Sequence, residues 1–403
     1  MLYSGYSSYS GAMEPRVAYA QADNARAPAA HGVVDDATWS PHSMLAAAGA
    51  EREFSSTVMP DAFAARLCPA RDEVLARVAL RVARAEIGID AESVAQAIRR
   101  LGAPYVWPHA WSLSAPALDV PATQARLARW LASFAEPGQR RCGFAVIKTE
   151  QGIRAAAVAV DAQADLSPLP RRVRLNCWLD FSAVALVPAS AAKLVVAAPD
   201  GAAFHVPTSF DRMRARARVH ADRAGGWRLS LVLDGPTGPR PVLEADVLAG
   251  DAAFEAAAVA GDDGPDQPPP GQTPRDDVDP ARSLLQMLGA ARERISVTPL
   301  AHDPTLDRLA GEHAARMMRA ARLGHDVGDG DPRERLDRTA LRAREVGENV
   351  AHAADAVSAH RALWLSPSHR ENILDARFDH VGIGVRRDAD GSLWVTEIFA
   401  RLR

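Results

Sequence analysis

One glutamate and two histidines in the last third of this 403-residue chain carry side chains suited to chemistry. His325 lies in the run Leu323-Gly324-His325-Asp326, Glu348 in Gly347-Glu348-Asn349, and His369 in Ser366-Pro367-Ser368-His369-Arg370. Two neutral imidazoles and a carboxylate match the protein ligands of a zinc site whose fourth position is open. The same trio would serve hydrolysis, with Glu348 as general base and a metal or imidazole polarising the substrate. It would equally form a buried hydrogen-bond network, with Glu348 capping a helix start and pairing with a histidine. No HExxH or GxSxG motif and no nucleophilic cysteine beside a histidine adds to the hydrolytic reading. Asp326, Asp329 and Asp331 lack EF-hand spacing and read as a solvated acidic loop. Ser190-Ala-Ala-Lys193 has SxxK form but falls between strand patterns and lacks companion motifs.

The trio must be positioned by the elements around it. Asp303-Pro304 is a helix start, with Asp303 as N-cap and Pro304 at the first helical position. Leu306, Leu309, Ala310, His313, Ala314 and Met317 share one face of that helix, so His313 reads as a packed, hydrogen-bonded core residue. The helix is expected to stop near Gly324, with His325 directly after it. A helix over Ser283–Arg294 precedes it, and an amphipathic helix ending in Trp364 joins Glu348 to His369. Residues 381–399 form two strands around an Asp390-Gly391 turn. His302, His352, His360 and His380 have no partner pattern and read as surface residues.

Upstream, the chain divides by composition and period. Residues 1–58, rich in Ser, Ala, Gly and Pro, read as a disordered lead-in. Residues 59–163 read as an α+β domain. Val74, Leu75, Val78 and Val82 mark one helix; Val94, Ala97, Ile98 and Leu101 mark a second, with Asp90 and Gly102 as its caps. A third helix spans 119–134, and a hairpin turns at Gln151-Gly152. Period-two runs separated by turn clusters make 164–256 an antiparallel, immunoglobulin-like β-sandwich. Its Arg214, Arg216 and Arg218 share one strand face, read as solvated. Residues 257–280 are a proline-rich acidic linker, and 281–403 form the last domain. The hairpin at 142–160 aligns without a gap on 381–399, with Gly143 on Gly382 and Gly152 on Gly391. Residues 60–162 therefore read as a diverged copy of the last domain, without the GEN and SPxH runs.

Net charge is −3, from 47 basic and 50 acidic residues, which argues against nucleic acid or an anionic membrane as the main partner. No apolar run is long enough to span a membrane. The first 20 residues show neither the basic nor the apolar region of a signal peptide. Three cysteines allow one bridge at most. Buried free thiols are the expectation, with Cys68–Cys142 the conceivable pair.

With these residues in view, the C-terminal segment resembles the CAP superfamily of cysteine-rich secretory proteins, antigen 5 and plant pathogenesis-related proteins, and its bacterial SCP-like branch above all. The resemblance rests on His325, Gly347-Glu348-Asn349, Trp364, Ser366-Pro367 with His369-Arg370, and Asn372-Ile373-Leu374 in that order. Arg292, His313, Met317, Gly382, Gly384 and Trp394 to Phe399 support it. It implies an α-β-α sandwich over 281–403 and an open polar cleft lined by His325, Glu348 and His369. Many members carry a further Glu where this chain has Pro367. Glu397, where bacterial relatives often have Gln, is a substitute by position, and Gly289 stands where the family usually has Asn. The family implies a non-enzymatic binding module for a lipid, glycan or cell-wall ligand, with Zn2+ or another divalent cation at the cleft, in an exported protein. The alternative is a metal-assisted, protease-like hydrolase using Glu348 with His325 and His369.

Overall fold

Helix-period and strand-period runs segregate into three packed units in this computed structural model. It describes residues 67–250 and 279–403, except 69, 90, 135 and 237, with the backbone of 2–8 and 38–39. Within the expected lead-in, β1 (Leu2–Ser8) and β2 (Thr38–Trp39) are strands, a departure from disorder there. The rest of the lead-in up to 66, the linker from 257 to 278 and the Asp90 cap lie outside the described residues.

The first unit comprises β3 (Ala70–Arg71), α1 (Glu73–Ala83), α2 (Ala91–Arg100), β4 (His109–Ala115), α3 (Val120–Ala132), β5 (Gln139–Thr149) and β6 (Gly152–Ala162). Asp72 caps α1, accepting from the Leu75 amide at 3.0 Å, while Tyr105 donates to its other oxygen. The helical stripe found in the sequence is buried: Leu75, Val78, Val82, Val94, Ala97 and Ile98 pack on Ala156, Val158 and Val160 of β6. Gly102 follows α2 with φ +88°, a left-handed stop that glycine reaches without strain. The cysteine expectation is corrected here. Cys68 and Cys142 form a disulfide and Cys177 is free. The parallel pairing of β3 on β5 sets Arg71 beside Cys142 and brings residues 74 apart in sequence within bonding reach, which spacing alone does not reveal.

The second unit is the expected sandwich. Its strands are β7 (Ala164–Leu166), β8 (Leu169–Pro170), β9 (Arg172–Val173), β10 (Cys177–Ala185), β11 (Ala191–Ala197), β12 (Ala203–Val206), β13 (Thr208–Asp211), β14 (Arg214–Ala221), β15 (Gly225–Gly235) and β16 (Gly238–Ala249). The sheets run β13-β14-β10-β7 and β12-β11-β15-β16-β9, and β2 pairs with β8. Alternate residues close one core, including Phe181, Val219, Leu194, Trp227 and Leu231. The arginine stripe faces out, with Arg218 3.0 Å from Asp180 across the strand pair.

The third unit holds α4 (Pro280–Arg294), β17 (Ala301–His302), α5 (Pro304–Ala320), α6 (Pro332–Asp337), β18 (Ala343–Ala353), α7 (Ala356–Leu365), α8 (Pro367–Leu374), β19 (His380–Arg387) and β20 (Leu393–Leu402). Its sheet runs β1-β18-β20-β19-β17. Leu306, Leu309 and Ala310 of α5 cover one face with Val346 and Ile398. Helices α4, α7 and α8 cover the other, through Leu288, Leu363, Trp364 and Ile373 against Val381, Val395 and Phe399. This is the α-β-α layering anticipated for 281–403. Helix α5 stops earlier than expected, at Ala320, because Ala321 takes a left-handed conformation. His325 therefore sits in the loop after the helix.

The first and third units share a connectivity. Sheet order β3-β5-β6-β4 parallels β17-β19-β20-β18, with the short outer strand parallel to its neighbour in each. An Asp-capped helix follows that strand in both. A Cβ on Gly143 would lie 1.9 Å from the Ala76 backbone nitrogen, and one on Gly382 would lie 2.2 Å from the Leu306 carbonyl carbon, so both glycines let a helix touch the sheet. With Gly143 laid on Gly382, Ala159 falls on Ile398. Their strand partners are His109 and Glu348, so the first unit has a histidine where the third has the acid.

Candidate functional site

Glu348 is mid-strand in β18, opposite Ile398, rather than at a helix start. Its side chain shares the α5 face with Val346 and Val350. One oxygen accepts from His325 Nδ1 at 2.8 Å and lies 3.8 Å from His313 Nε2. The other accepts from the Arg335 guanidinium. Burial pushes this carboxyl up, but Arg335, His313 and His325 outweigh burial and hold it at about 2.

Arg335 comes from α6, a short helix made possible by an Asp331/Glu334 capping box with Pro332 at its first position. It also donates to the His325 carbonyl at 2.7 Å, so one guanidinium ties the acid and the histidine loop together. His313 joins Asp329 at 2.9 Å through Nδ1 and the Gly324 carbonyl at 2.8 Å through Nε2. The acidic loop is therefore structural rather than solvated throughout. Asp329 is buried against His313, Asp331 caps α6, and Asp326 accepts from the amides of Gly328, Asp329 and Gly330.

His369 lies in the first turn of α8, fully buried, and neither ring nitrogen has a hydrogen-bond partner among the described residues. Burial and the neighbouring His325 keep it neutral, well below an ordinary histidine. Two asparagines fix its backbone. Asn349 donates to the His369 carbonyl at 3.2 Å and to Glu397 at 3.0 Å; Asn372 donates to the Glu348 carbonyl at 3.2 Å and to Asn349 at 3.0 Å. Burial raises Glu397 to about 7, against the lowering by Asn349. Pro367 opens α8 and brings no carboxylate. His360, expected at the surface, is buried one turn before Trp364, and its ring has no hydrogen-bond partner among the described residues. Its helix is apolar on more of its circumference than the pattern suggested.

The trio is thus brought together unequally. His325 and Glu348 are hydrogen bonded, while His369 neighbours His325 and makes no hydrogen bond through its ring among the described residues. Arg335 and the contacts made by Asn372 escaped the sequence reading, whereas His313 is the packed, hydrogen-bonded core residue that its helix face predicted. The signal for Arg335 was the Asp-Pro-Arg-Glu helix start, which announces a helix but not its target.

The cleft is not open. His325, Glu348 and His369 are each 0% exposed; the sandwich packs against His325 and α8, and β1 pairs beside Glu348. A Cβ on Gly238 would stand 3.3 Å from the His325 Cβ, Arg228 donates to the Leu365 carbonyl at 3.1 Å, and Lys193 and His205 each reach Glu371 at 2.8 Å. Among the described residues no group of three or more His, Cys, Asp or Glu is disposed to hold a metal. Glu348 does not fit as a direct ligand, since both oxygens are taken. The bare ring of His369 and the carboxylate-oriented ring of His325 fit a two-imidazole site. A groove of about 480 Å³ opens at the far edge of the sheet, between Asp279, Arg308, Glu312, Arg386 and Leu393, and shares no residue with this centre.

Comparison with known proteins agrees with this layout. Residues 285–399 match the CAP model, described as the cysteine-rich secretory protein family. The uncharacterized protein YkwD of Bacillus subtilis (strain 168) is 25% identical over 122 residues, which cover 30% of this chain and 47% of that protein. The chain thus spans about half the length of that curated relative. An extracellular SCP-domain protein of Bacillus anthracis str. Ames is 14% identical, covering 68% of this chain and 91% of its own, at TM-score 0.28. A cysteine-rich secretory protein of Staphylococcus aureus is 15% identical over 64% of this chain and 83% of its own, at TM-score 0.27. Residues 285–399 are thus a CAP domain of the cysteine-rich secretory protein family.

Proposed function

We propose that this chain is a non-catalytic binding protein whose CAP domain takes a lipid, glycan or cell-wall ligand and whose paired histidines hold a divalent cation such as Zn2+. The observation that carries the first half is the state of Glu348. A general base needs an available carboxylate of suitable basicity. This one is buried, pinned by Arg335 and His325, and held at about 2. The hydrolase alternative therefore lacks its base. For the second half, His325 and His369 would hold the cation and Glu348 would orient His325 through Nδ1, the usual division between ligand and supporting carboxylate. A bound cation would supply an electrophilic anchor for oxygen atoms of a ligand. The Cys68–Cys142 disulfide favours an oxidising compartment, hence the envelope or beyond, as the place of action.

Calorimetric Zn2+ titration of the full chain tests the cation. Affinity is expected to fall about tenfold or more in His325→Ala and in His369→Ala. Equal affinities in all three proteins would remove the cation from the reading. Co-sedimentation with purified peptidoglycan, and with phosphatidylglycerol liposomes, tests the ligand class. Binding to neither would overturn the binding-module reading.

A further inference from the structure

We infer that the β-sandwich is a lid on the histidine centre, held by a polar catch to α8, and that the centre meets solvent only when the lid lifts. The inference stands on geometry whichever ligand the centre takes. The start of β16 is the covering element. Gly238 in it has φ +94° and no side chain, and the space its Cβ would enter is 3.7 Å from His325 Cδ2, the ring carbon next to Nε2. His325 uses Nδ1 for Glu348. This end of β16 therefore covers the ring edge directed away from the acid, which is the edge an incoming ligand would approach.

The catch lies two residues from His369. Glu371 on α8 accepts from Lys193 of β11 at 2.8 Å and meets His205 of β12 at 2.8 Å, while Arg228 of β15 holds the Leu365 carbonyl at the end of α7. The nature of the joint matters as much as its position. The buried apolar cluster of the sandwich has all its members between Ala164 and Ala249, and those of the CAP domain all lie between Leu284 and Ala400. No apolar cluster among the described residues is shared between them. A joint made of ion pairs and hydrogen bonds without a common core opens at far lower cost than either unit unfolds.

Carbethoxylation of histidines in the full chain by diethyl pyrocarbonate, read peptide by peptide by mass spectrometry, tests this without any metal. His302, exposed on the CAP surface, is the internal reference. In the wild type, His369 is expected to react at least about tenfold more slowly than His302; Lys193→Glu should speed His369 about tenfold, and Lys193→Glu with Glu371→Lys should restore protection. A His369 that reacts in the wild type as fast as His302, or that stays protected in folded Lys193→Glu protein, would overturn the lid. Should Lys193→Glu fail to fold, raising salt from about 0.01 M to about 1 M in the wild type screens the same pairs. Faster labelling of His369 at unchanged folding then supports the lid, and unchanged labelling overturns it.

Discussion

At the scale of residues, the centre is a problem in burying charge. Glu348 is tolerated inside the CAP domain because Arg335 neutralises it and His325 completes its hydrogen bonds. Removing one partner of a buried pair costs about 3–5 kcal/mol, since the other is left uncompensated. Arg335→Ala is expected to lower the CAP unfolding free energy by that order, and Glu348→Gln with Arg335→Met to recover much of it, as read by denaturant unfolding. The pH dependence follows from the same contacts. Glu348 titrates at about 2 in the fold, against about 4.3 in an unconstrained chain. A depressed carboxyl contributes stability that is present above about 4.3 and is lost as pH falls towards 2. Glu397 has the opposite sign. Raised to about 7 by burial, it binds its proton more tightly folded than unfolded. Stability is therefore full below about 4.3 and declines as pH rises through 7. Thermal melts of Glu397→Gln should show a gain over wild type at pH 8 that vanishes near pH 4.

At the scale of elements, much of the third unit was legible. The Asp303 cap, the apolar stripe on α5 and the Asp390-Gly391 hairpin depend on neighbours in sequence, and each stands where pattern placed it. What was not legible depends on pairing between distant segments. The two-residue strand β17 exists only because β19 runs beside it. The disulfide exists only because β3 and β5 are parallel. Closing a loop between residues 74 apart restricts the unfolded chain by about 4 kcal/mol in the chain-entropy account. Cys142→Ser is thus expected to shift the first unit's transition to lower temperature in calorimetry and leave the CAP transition in place. A CAP transition that moved equally would mean that the units unfold together. The close glycines Gly143 and Gly382 show the same element-level solution used twice, a bare backbone where a helix meets its sheet.

At the scale of the whole molecule, the sandwich is the organising part. Strand β16 touches both flanking units: its Glu244 lies 3.5 Å from Arg99 of α2, and its first residue, Gly238, lies against His325. Arg228 and Asp246, 2.7 Å apart, complete a buried group of charges where the three units meet. By itself the sequence determined the family of the last domain, the identity of its polar residues and the period of nearly every element. Those properties are local, since caps, turns and apolar spacing act over a few residues. Only the tertiary structure decided that Arg335 consumes the carboxylate of Glu348, that His369 remains without a polar partner among the described residues, and that the cleft is covered. Each depends on which surfaces meet across separations of 13 to 178 residues. No local pattern of residue types records those encounters, because they are chosen by the packing of whole units against one another.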